Sequence, residues 1–271
     1  MMTSPYILID TTLIGYPENK PWIKKRRKPS WVAAIYERDA VTVSPILVDV
    51  ERAWQCNRID TVMGLVNSGF PQLGISFIET ELTLMELQAH FRRFVYILTE
   101  DGVELTLRFA DCAVLSALSV HLTTEQWASL VAPLKSWKIH GRDGKLKPLT
   151  IPEPQSNLSF PLSLSDIQIT ALRDAFGADQ LLANLRKMRP TGAPDYSTLE
   201  AYQCAEQARQ IWLSSGHEEN TELLLFARDV FDTEGRLLQH TGLKAVLQQT
   251  DPVARRKDLQ RLTNQLNGVR K

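Results

Sequence analysis

One arginine and two aspartates are the residues of this chain whose types and positions best suit chemistry. Arg108 and Asp111 lie three residues apart in the stretch "LRFADCAVLSAL", where an apolar strand is expected to end and a helix to begin. A pair of this kind at a strand–helix junction suits a catalytic pair, an anion-binding site, or two residues that only fix the corner. The second aspartate of interest is Asp10, which ends the apolar run "YILID".

Asp10 raises the possibility of phosphate-ester hydrolysis. Haloacid-dehalogenase-like phosphatases carry a nucleophilic aspartate at the tip of a first strand, within an Asp-x-Asp motif. Position 12 here is Thr, so the acid that would protonate the leaving group is missing. We therefore favour a turn or capping role for Asp10. A small phosphate-ester hydrolase that uses Asp10 stays as the alternative function.

Asp111 is well placed to cap a helix that runs through Leu118. A carboxylate at this position accepts hydrogen bonds from the free N–H groups of the first helical turn. Arg108 would then pair with Asp111 or with a neighbouring carboxylate and fix the angle of the corner. An arginine clamp for an anionic substrate would need further donors, which the sequence does not supply.

The histidines and glycines carry no catalytic or metal-binding signature. None of the histidines lies at metal-site spacing from another His, Cys or acid; they are His90, His121, His140, His217 and His240. The chain has no Gly-x-Ser-x-Gly elbow, no P-loop and no Gly-x-Gly-x-x-Gly motif. We expect no metal, no cofactor and no catalytic residues.

A run of five basic residues lies between Trp22 and Trp31, and it consists of Lys24, Lys25, Arg26, Arg27 and Lys28. Such a run suits a solvated loop, an electrostatic contact with an acidic protein partner, or phosphate binding with an indole that stacks on a base. We rank the solvated loop first, the protein contact second and nucleic acid last, because the whole chain is neutral.

The bulk composition is that of an ordinary globular protein. The 271 residues include 31 Lys+Arg and 31 Asp+Glu, so the chain as a whole has no electrostatic attraction to nucleic acid or to an anionic membrane. The N-terminus lacks the pattern of a secretory signal, and no apolar run approaches 20 residues. The three cysteines, Cys56, Cys112 and Cys204, are scattered and odd in number, which suits reduced thiols in the cytoplasm.

Local signals predict the secondary structure around these residues. Turn dipeptides at Asp101-Gly102 and Asp143-Gly144 predict two β-hairpins. The apolar run Phe94–Leu98 predicts a strand that is covered on both faces. Thr123 with Gln126, and likewise Ser165 with Gln168, have the spacing of a capping box, which predicts two helix starts.

These signals predict an α+β protein in two lobes. Residues 1–151 mix strands and helices, with hairpins, whereas residues 152–161 form a proline-rich, linker-like seam. Residues 162–271 have almost no strand signal and are expected to form an all-α lobe.

The segment from about Phe91 to Gly144 resembles a known family, the type VI secretion effector chaperones, which are also called adaptors. The resemblance rests on "LTLRFADCAVLSAL", "LTTEQWASL", "APLKSW" and "GRDG", and the layout fits over roughly residues 5–150. Its motif residues are Arg108, Phe109, Asp111, Leu115, Trp127 and Trp137. After the aspartate, many members have Pro-Arg, but this chain has Cys112-Ala113 and so lacks one positive charge.

The resemblance implies a non-enzymatic protein of the bacterial cytoplasm. Such chaperones bind a toxic effector and help to load it onto the VgrG spike of the secretion machine, with no role for nucleic acid, membrane or a small-molecule substrate. The α/β lobe would be the shared scaffold, and the helical lobe would contribute to the choice of effector. Effector residues would then bind in a groove beside Trp212, Phe226 and Phe231. The alternative for each of these three is burial in the lobe's own core.

Overall fold

The computed structural model describes residues 3–14, 29–36, 40, 43–67, 73–153, 160–188, 199–219 and 221–268. The chain divides by its internal contacts into two units, Met1–Arg173 and Asp174–Lys271. The fold is α+β, since the strands lie in the first unit and the described part of the second unit is helical.

Two β-sheets organise the first unit. Its strands are β1 (Ser4–Ile9), β2 (Val32–Ala34), β3 (Ile46–Asp49), β4 (Ile75–Thr80), β5 (Tyr96–Leu98), β6 (Glu104–Thr106), β7 (Leu134–His140), β8 (Leu146–Pro148) and β9 (Leu162–Ser163). Six of them form a sheet in the order β2-β3-β1-β4-β7-β8, in which every neighbouring pair is antiparallel. The other three form a small sheet in the order β6-β5-β9, in which β5 and β9 are parallel.

Among the described helices that begin in the first unit, all but the second begin at a side-chain cap. In chain order, the helices are α1 (Val50–Gln55), α2 (Ile59–Val66), α3 (Leu84–Arg92), α4 (Cys112–His121), α5 (Thr124–Val131) and α6 (Asp166–Ala175). The Thr123–Gln126 capping box is confirmed, because each side chain bonds the other residue's backbone N–H. Ser165 and Gln168 make the same reciprocal bonds, so both predicted helix starts are correct.

The core of the first unit follows the alternation of strand residues between the two sheet faces. One face packs Ile7, Ile9 and Val48 against α1 and α2. The central contact among the buried aromatic residues is made by Phe91, which stacks on Phe109 at 5.2 Å and lies 5.4 Å from Trp137. The motif that carries the family resemblance therefore supplies much of this core.

The first predicted hairpin is present, but its strands are shorter than expected. Gly102 has a φ of 79°, which glycine adopts without strain, and Thr99 N–H donates to the Val103 carbonyl across the turn. Tyr96 is 47% exposed, so the expectation that both faces of Phe94–Leu98 are covered was wrong at this residue. Ile97 points inward, and strand alternation turns Tyr96 outward.

The chain returns to the first unit after the proline-rich seam. Leu162 and Ser163 pair with β5, and the Leu164 N–H donates to the Leu98 carbonyl at 2.9 Å. Gln168 then bonds both the His121 carbonyl and the Gln126 side chain. The division between the units consequently falls after Arg173, about a turn beyond these contacts, rather than at the expected start of the helical lobe at residue 162.

The second unit is a set of helices around its own core. Its remaining helices are α7 (Gly177–Met188), α8 (Leu199–Ser214), α9 (Thr221–Asp232), a short 3-10 helix (Arg236–Gln239), α10 (Leu243–Leu247) and α11 (Pro252–Gly268). None of the helices in the described residues has the length and apolarity that crossing a membrane requires.

Buried arginines hold the helices of the second unit together. Arg209 is 9% exposed at its side chain and pairs with both Asp174 and Glu219. The two terminal nitrogens of Arg256, Nη1 and Nη2, donate to the buried carboxylate of Asp229. Each buried charge thus has a counter-charge and hydrogen bonds, without which its desolvation would be costly.

His90 makes the stability of the first unit dependent on pH. Burial lowers the pKa of His90, the hydrogen bond to the Leu130 carbonyl opposes this shift, and Arg93 lowers the pKa further. On acidification, the unfolded chain therefore protonates His90 at its usual pKa near 6.5, before the folded chain does. The stability is present above that pKa and is lost as the pH falls below it.

We expect the free energy of unfolding to decrease between about pH 7 and about pH 5, and His90→Gln to make this decrease smaller. Urea denaturation of both proteins at several pH values measures the difference, in which the shared contribution of the carboxylates cancels. Equal slopes for the wild type and the variant would contradict this role for His90.

Candidate functional site

The two polar positions singled out in the sequence meet in the folded chain. Asp10 follows the last residue of β1, and Arg108 follows β6 just before α4, 98 residues later. The Nη2 of Arg108 donates to Asp10 Oδ2 at 2.8 Å and to Thr12 Oγ1 at 3.0 Å. We call Asp10, Thr12, Arg108 and Asp111 the corner cluster.

Asp10 is the buried centre of the corner cluster, with its side chain only 4% exposed. Its Oδ1 accepts hydrogen bonds from the backbone N–H of Thr12 at 2.9 Å and from the Thr12 hydroxyl at 2.6 Å. Its Oδ2 accepts the bond from Arg108. Both carboxylate oxygens are thus occupied, in the manner of an aspartate that stabilises a turn.

Asp111 is the N-cap of α4, as the sequence predicted. Its backbone is extended, and its Oδ1 accepts from the N–H groups of Ala113 at 2.9 Å and Val114 at 3.4 Å. Its Oδ2 lies 3.8 Å from Arg108 Nη2. Burial raises the pKa of Asp111, although Arg108 and the two backbone bonds partly oppose that shift.

Strand β4 and helix α4 meet closely beside the corner cluster. Gly74 lies so near the end of β1 that an added Cβ would come within 3.1 Å of the Asp10 carbonyl oxygen. The Cys112 N–H donates to the Leu73 carbonyl at 2.8 Å, a bond that the Pro found here in many chaperones of the resembled family cannot make. Burial raises the pKa of the Cys112 thiol to about 12, which leaves it protonated and unreactive.

The corner cluster is better suited to structure than to chemistry. It has one cation against two carboxylates, so an anionic substrate would meet local repulsion rather than a clamp. In the described ranges of the chain, no three His, Cys, Asp or Glu side chains lie where they could together hold a metal ion. Arg108 remains 46% exposed at its side chain, and it closes the corner from the solvent side.

The remaining motif residues are core residues. Trp127 is nearly buried and its indole N–H donates to the Thr150 carbonyl at 2.8 Å. Trp137 is buried and donates to the Ser76 hydroxyl at 2.9 Å. Phe109 and Leu115 are also buried. Each of these residues therefore positions the corner through packing and is not available to a partner.

Of the two environments considered for the aromatic residues of the helical lobe, a groove or the lobe's own core, the structure shows the core. Trp212 and Phe226 are 1% and 0% exposed, and their rings stack at 5.7 Å inside the core of the second unit. Phe231 is partly buried and packs against the same core. The structure thus places Trp212 and Phe226 in the lobe's own core, because their helical spacing is that of an inward stripe.

The basic run Lys24–Lys28 and its neighbour Trp22 lie outside the described residues. Trp31 is described and is 5% exposed, so its indole packs into the core of the first unit and does not face a ligand. Stacking of a nucleic-acid base on Trp31, one of the interpretations of the run, is incompatible with this burial.

Sequence reasoning found Asp10 and Arg108 separately but missed their pairing. The only local signal was an acidic residue at a strand end and a basic residue at a strand–helix corner. Reasoning from the sequence also missed Arg52 and Arg92, which line a groove at the edge of the six-stranded sheet. No spacing relates these two arginines in sequence, since they lie on different helices.

Comparison with known proteins adds one finding. Residues 6–129 match a family model described as "Domain of unknown function (DUF4123)". The matched range begins in β1 and ends in α5, so it contains the whole corner cluster. No curated protein and no solved structure matches the chain.

We expect Asp111→Ala to lower the free energy of unfolding by about 1 kcal/mol, because two N–H groups of α4 lose their acceptor. Asp111→Ser should restore most of the loss, since serine is also a good N-cap. Chemical denaturation of the three proteins measures the effect. An alanine variant as stable as the wild type would show that the cap contributes nothing.

The pairing of Asp10 with Arg108 can be measured by a double-mutant cycle. Asp10→Asn should cost roughly 2 kcal/mol, because a buried charged acceptor is lost. Arg108→Met should cost less than that, because Arg108 is half exposed, and the two changes should couple by about 1 kcal/mol.

The matched control for this cycle is the exposed pair of Lys147 with Asp143. Lys147→Met should change stability by less than about 0.5 kcal/mol. Additive effects of Asp10→Asn and Arg108→Met would mean that the two residues do not stabilise each other.

Proposed function

We propose that this protein is a non-enzymatic chaperone, or adaptor, of a bacterial type VI secretion system. It binds an effector in the cytoplasm and assists the loading of that effector onto the VgrG spike. The proposal rests on the motif run from Arg108 to Trp137, whose residues resemble those of the effector chaperones. The match of residues 6–129 to a domain family of unknown function is compatible with it and names no activity of its own.

The geometry of the motif supports a scaffold role for the first unit. Arg108 and Asp111 fix a corner, whereas Phe109 and Trp137 fill the core beneath it. Residues that hold a scaffold together are those that a family of binding proteins with different partners would share. The observation that carries the proposal is therefore that the resembling residues form one connected structural corner.

The alternative, a phosphate-ester hydrolase, gains no support from Asp10. The side chain of Asp10 is only 4% exposed and is held by hydrogen bonds from Thr12 and Arg108, so it is not presented to a phosphate ester in solution. The position at which the catalytic acid would stand is occupied by Thr12, whose hydroxyl donates to Asp10. We therefore assign no catalytic residue.

In this proposal, the surface of the helical unit contributes to determining which effector is bound. Trp212 and Phe226 are core residues there, so they would influence effector binding only through the stability of the unit. Contacts with an effector would come from exposed side chains, of which Val253 at 75% exposure and Met188 at 42% are apolar examples.

Deletion of the gene for this chain should abolish secretion of one effector and leave the other type VI substrates unchanged. Mass spectrometry of the culture supernatant of the deletion strain measures this. The wild-type gene in trans should restore secretion, as should Asp10→Asn once its amount in the cell equals that of the wild type. A tagged chain should also co-purify with that effector and a spike protein.

An unchanged set of secreted proteins would contradict the proposal. Hydrolysis of generic phosphate esters by the purified chain, lost in Asp10→Asn, would instead favour the hydrolase.

A further inference from the structure

A groove of about 400 Å³ lies beside β2, which is an edge strand of the six-stranded sheet among the described residues. The edge groove, as we call it, is lined by residues of the stretch that contains β2, by α1 and by α3; they are Pro29, Ser30, Val32, Ala33, Ala34, Arg52, Thr83, Leu84, Met85, Gln88 and Arg92. All of these residues belong to the first unit, and none of them is part of the corner cluster.

The edge groove is positively charged. Arg52 and Arg92 are both exposed, and neither guanidinium is in an ion pair with any described residue. The Nε of Arg92 donates to the Ile35 carbonyl at 2.9 Å, which fixes the guanidinium beside β2. None of the described residues that line the groove is acidic. A ligand with carboxylates would therefore find two cations without an ion-pair partner among the described residues. The carboxylates next to the groove, Asp49 and Glu86, are engaged as helix caps, with the Arg52 N–H and with Thr83.

The edge groove also offers backbone groups and an apolar wall. In the antiparallel ladder with β3, the Ile35 N–H donates to the Pro45 carbonyl, and the Trp31 carbonyl accepts from the Asp49 N–H. Because successive residues of a strand direct their backbone groups to opposite sides, those of Val32 and Ala34 point away from β3. Gln88 of α3 already donates to the Ala34 carbonyl. Met85, at 65% exposure, is an apolar side chain at the groove. The Val32 N–H donates to the Pro29 carbonyl at 3.3 Å, so the Val32 carbonyl and the Ala34 N–H are the outward backbone groups left for a ligand. These two groups, the cations and Met85 together suit a short extended peptide.

We propose that the edge groove binds a short extended segment of a partner protein in which carboxylates alternate with apolar side chains. The carboxylates would pair with Arg52 and Arg92, and an apolar side chain would pack on the exposed Met85. This inference deepens the proposed function and rests on it: besides the helical surface that would select the effector, the first unit would hold an acidic, extended segment of the same effector.

A peptide fits the edge groove better than nucleic acid does. Single-stranded nucleic acid is held by aromatic rings that stack on its bases, and no aromatic residue is among the described residues that line the groove. The chain as a whole is also neutral. In the sequence, the basic run ends at Lys28, immediately before Pro29, although its placement lies outside the described residues.

The test uses the full chain and a defined probe, a fluorescein-labelled eight-residue peptide of alternating Glu and Val. Fluorescence polarisation at low and at physiological salt should show saturable binding that weakens with salt. Arg52→Glu should weaken binding at least tenfold, and the double variant with Arg92→Glu should weaken it further. Arg52 makes no side-chain hydrogen bond to a described residue, so its single variant should keep the wild-type melting curve.

The matched control reverses two exposed charges of the second unit, with Arg186→Glu and Lys187→Glu, and should bind the peptide within twofold of the wild type. A peptide of alternating Lys and Val should not bind. Equal binding by wild type and Arg52→Glu would overturn the proposal, as would tighter binding of an eight-nucleotide single strand than of the Glu peptide.

The failure of this inference can be distinguished from failure of the proposed function. If the deletion strain loses one secreted effector, and that effector still co-purifies with Arg52→Glu as with the wild type, the edge groove is not its binding site but the chaperone role holds. If the secreted proteins are unchanged while the Glu peptide binds through Arg52, the groove is a peptide site in a protein with another role.

Discussion

The first unit depends on the neutralisation of one buried carboxylate. Asp10 lies at the end of a central strand, and an unpaired charge in that position would be strongly destabilising. The counter-charge of Asp10 is Arg108, which comes from a distant part of the chain and bonds Oδ2. The other carboxylate oxygen, Oδ1, accepts two hydrogen bonds from Thr12. The end of β1 is thereby tied to the start of α4, and the aromatic core under Phe109 is tied to both.

The second unit also pairs buried charges. Asp229 is a buried carboxylate like Asp10, but at Arg209 the arginine is the buried partner: its side chain is 9% exposed, whereas those of Asp174 and Glu219 are 67% and 47% exposed. An added Cβ at Gly177 would lie 2.1 Å from Arg209 Nε, so the guanidinium occupies space that only a glycine leaves open. Charge pairing and close packing therefore specify the same arrangement of helices.

Local features of this fold could be predicted from the sequence, and long-range ones could not. The Asp111 cap, the Thr123 capping box and the Gly102 turn depend on residues within a few positions of each other, and all three are present. The pairing of Asp10 with Arg108 depends on strand order, about which one sequence contains no direct signal. The sequence alone could not decide whether Trp212 is buried, because residues that face a core and residues that line a groove recur with the same helical period. The proline-rich composition of residues 152–161 predicted a linker between the lobes, but it could not show that β9 would pair with β5.

That pairing places the residues on both sides of the seam on a single unit. Before it, the Thr150 carbonyl accepts from the Trp127 indole, and after it Leu164 bonds to Leu98. Because both ends are held by the same unit, added residues would only enlarge a loop, at about 0.6 kcal/mol for each doubling of its length. Relatives could therefore differ in length here without altering the fold of either unit, and an epitope or fluorescent tag inserted here would leave both chain termini free.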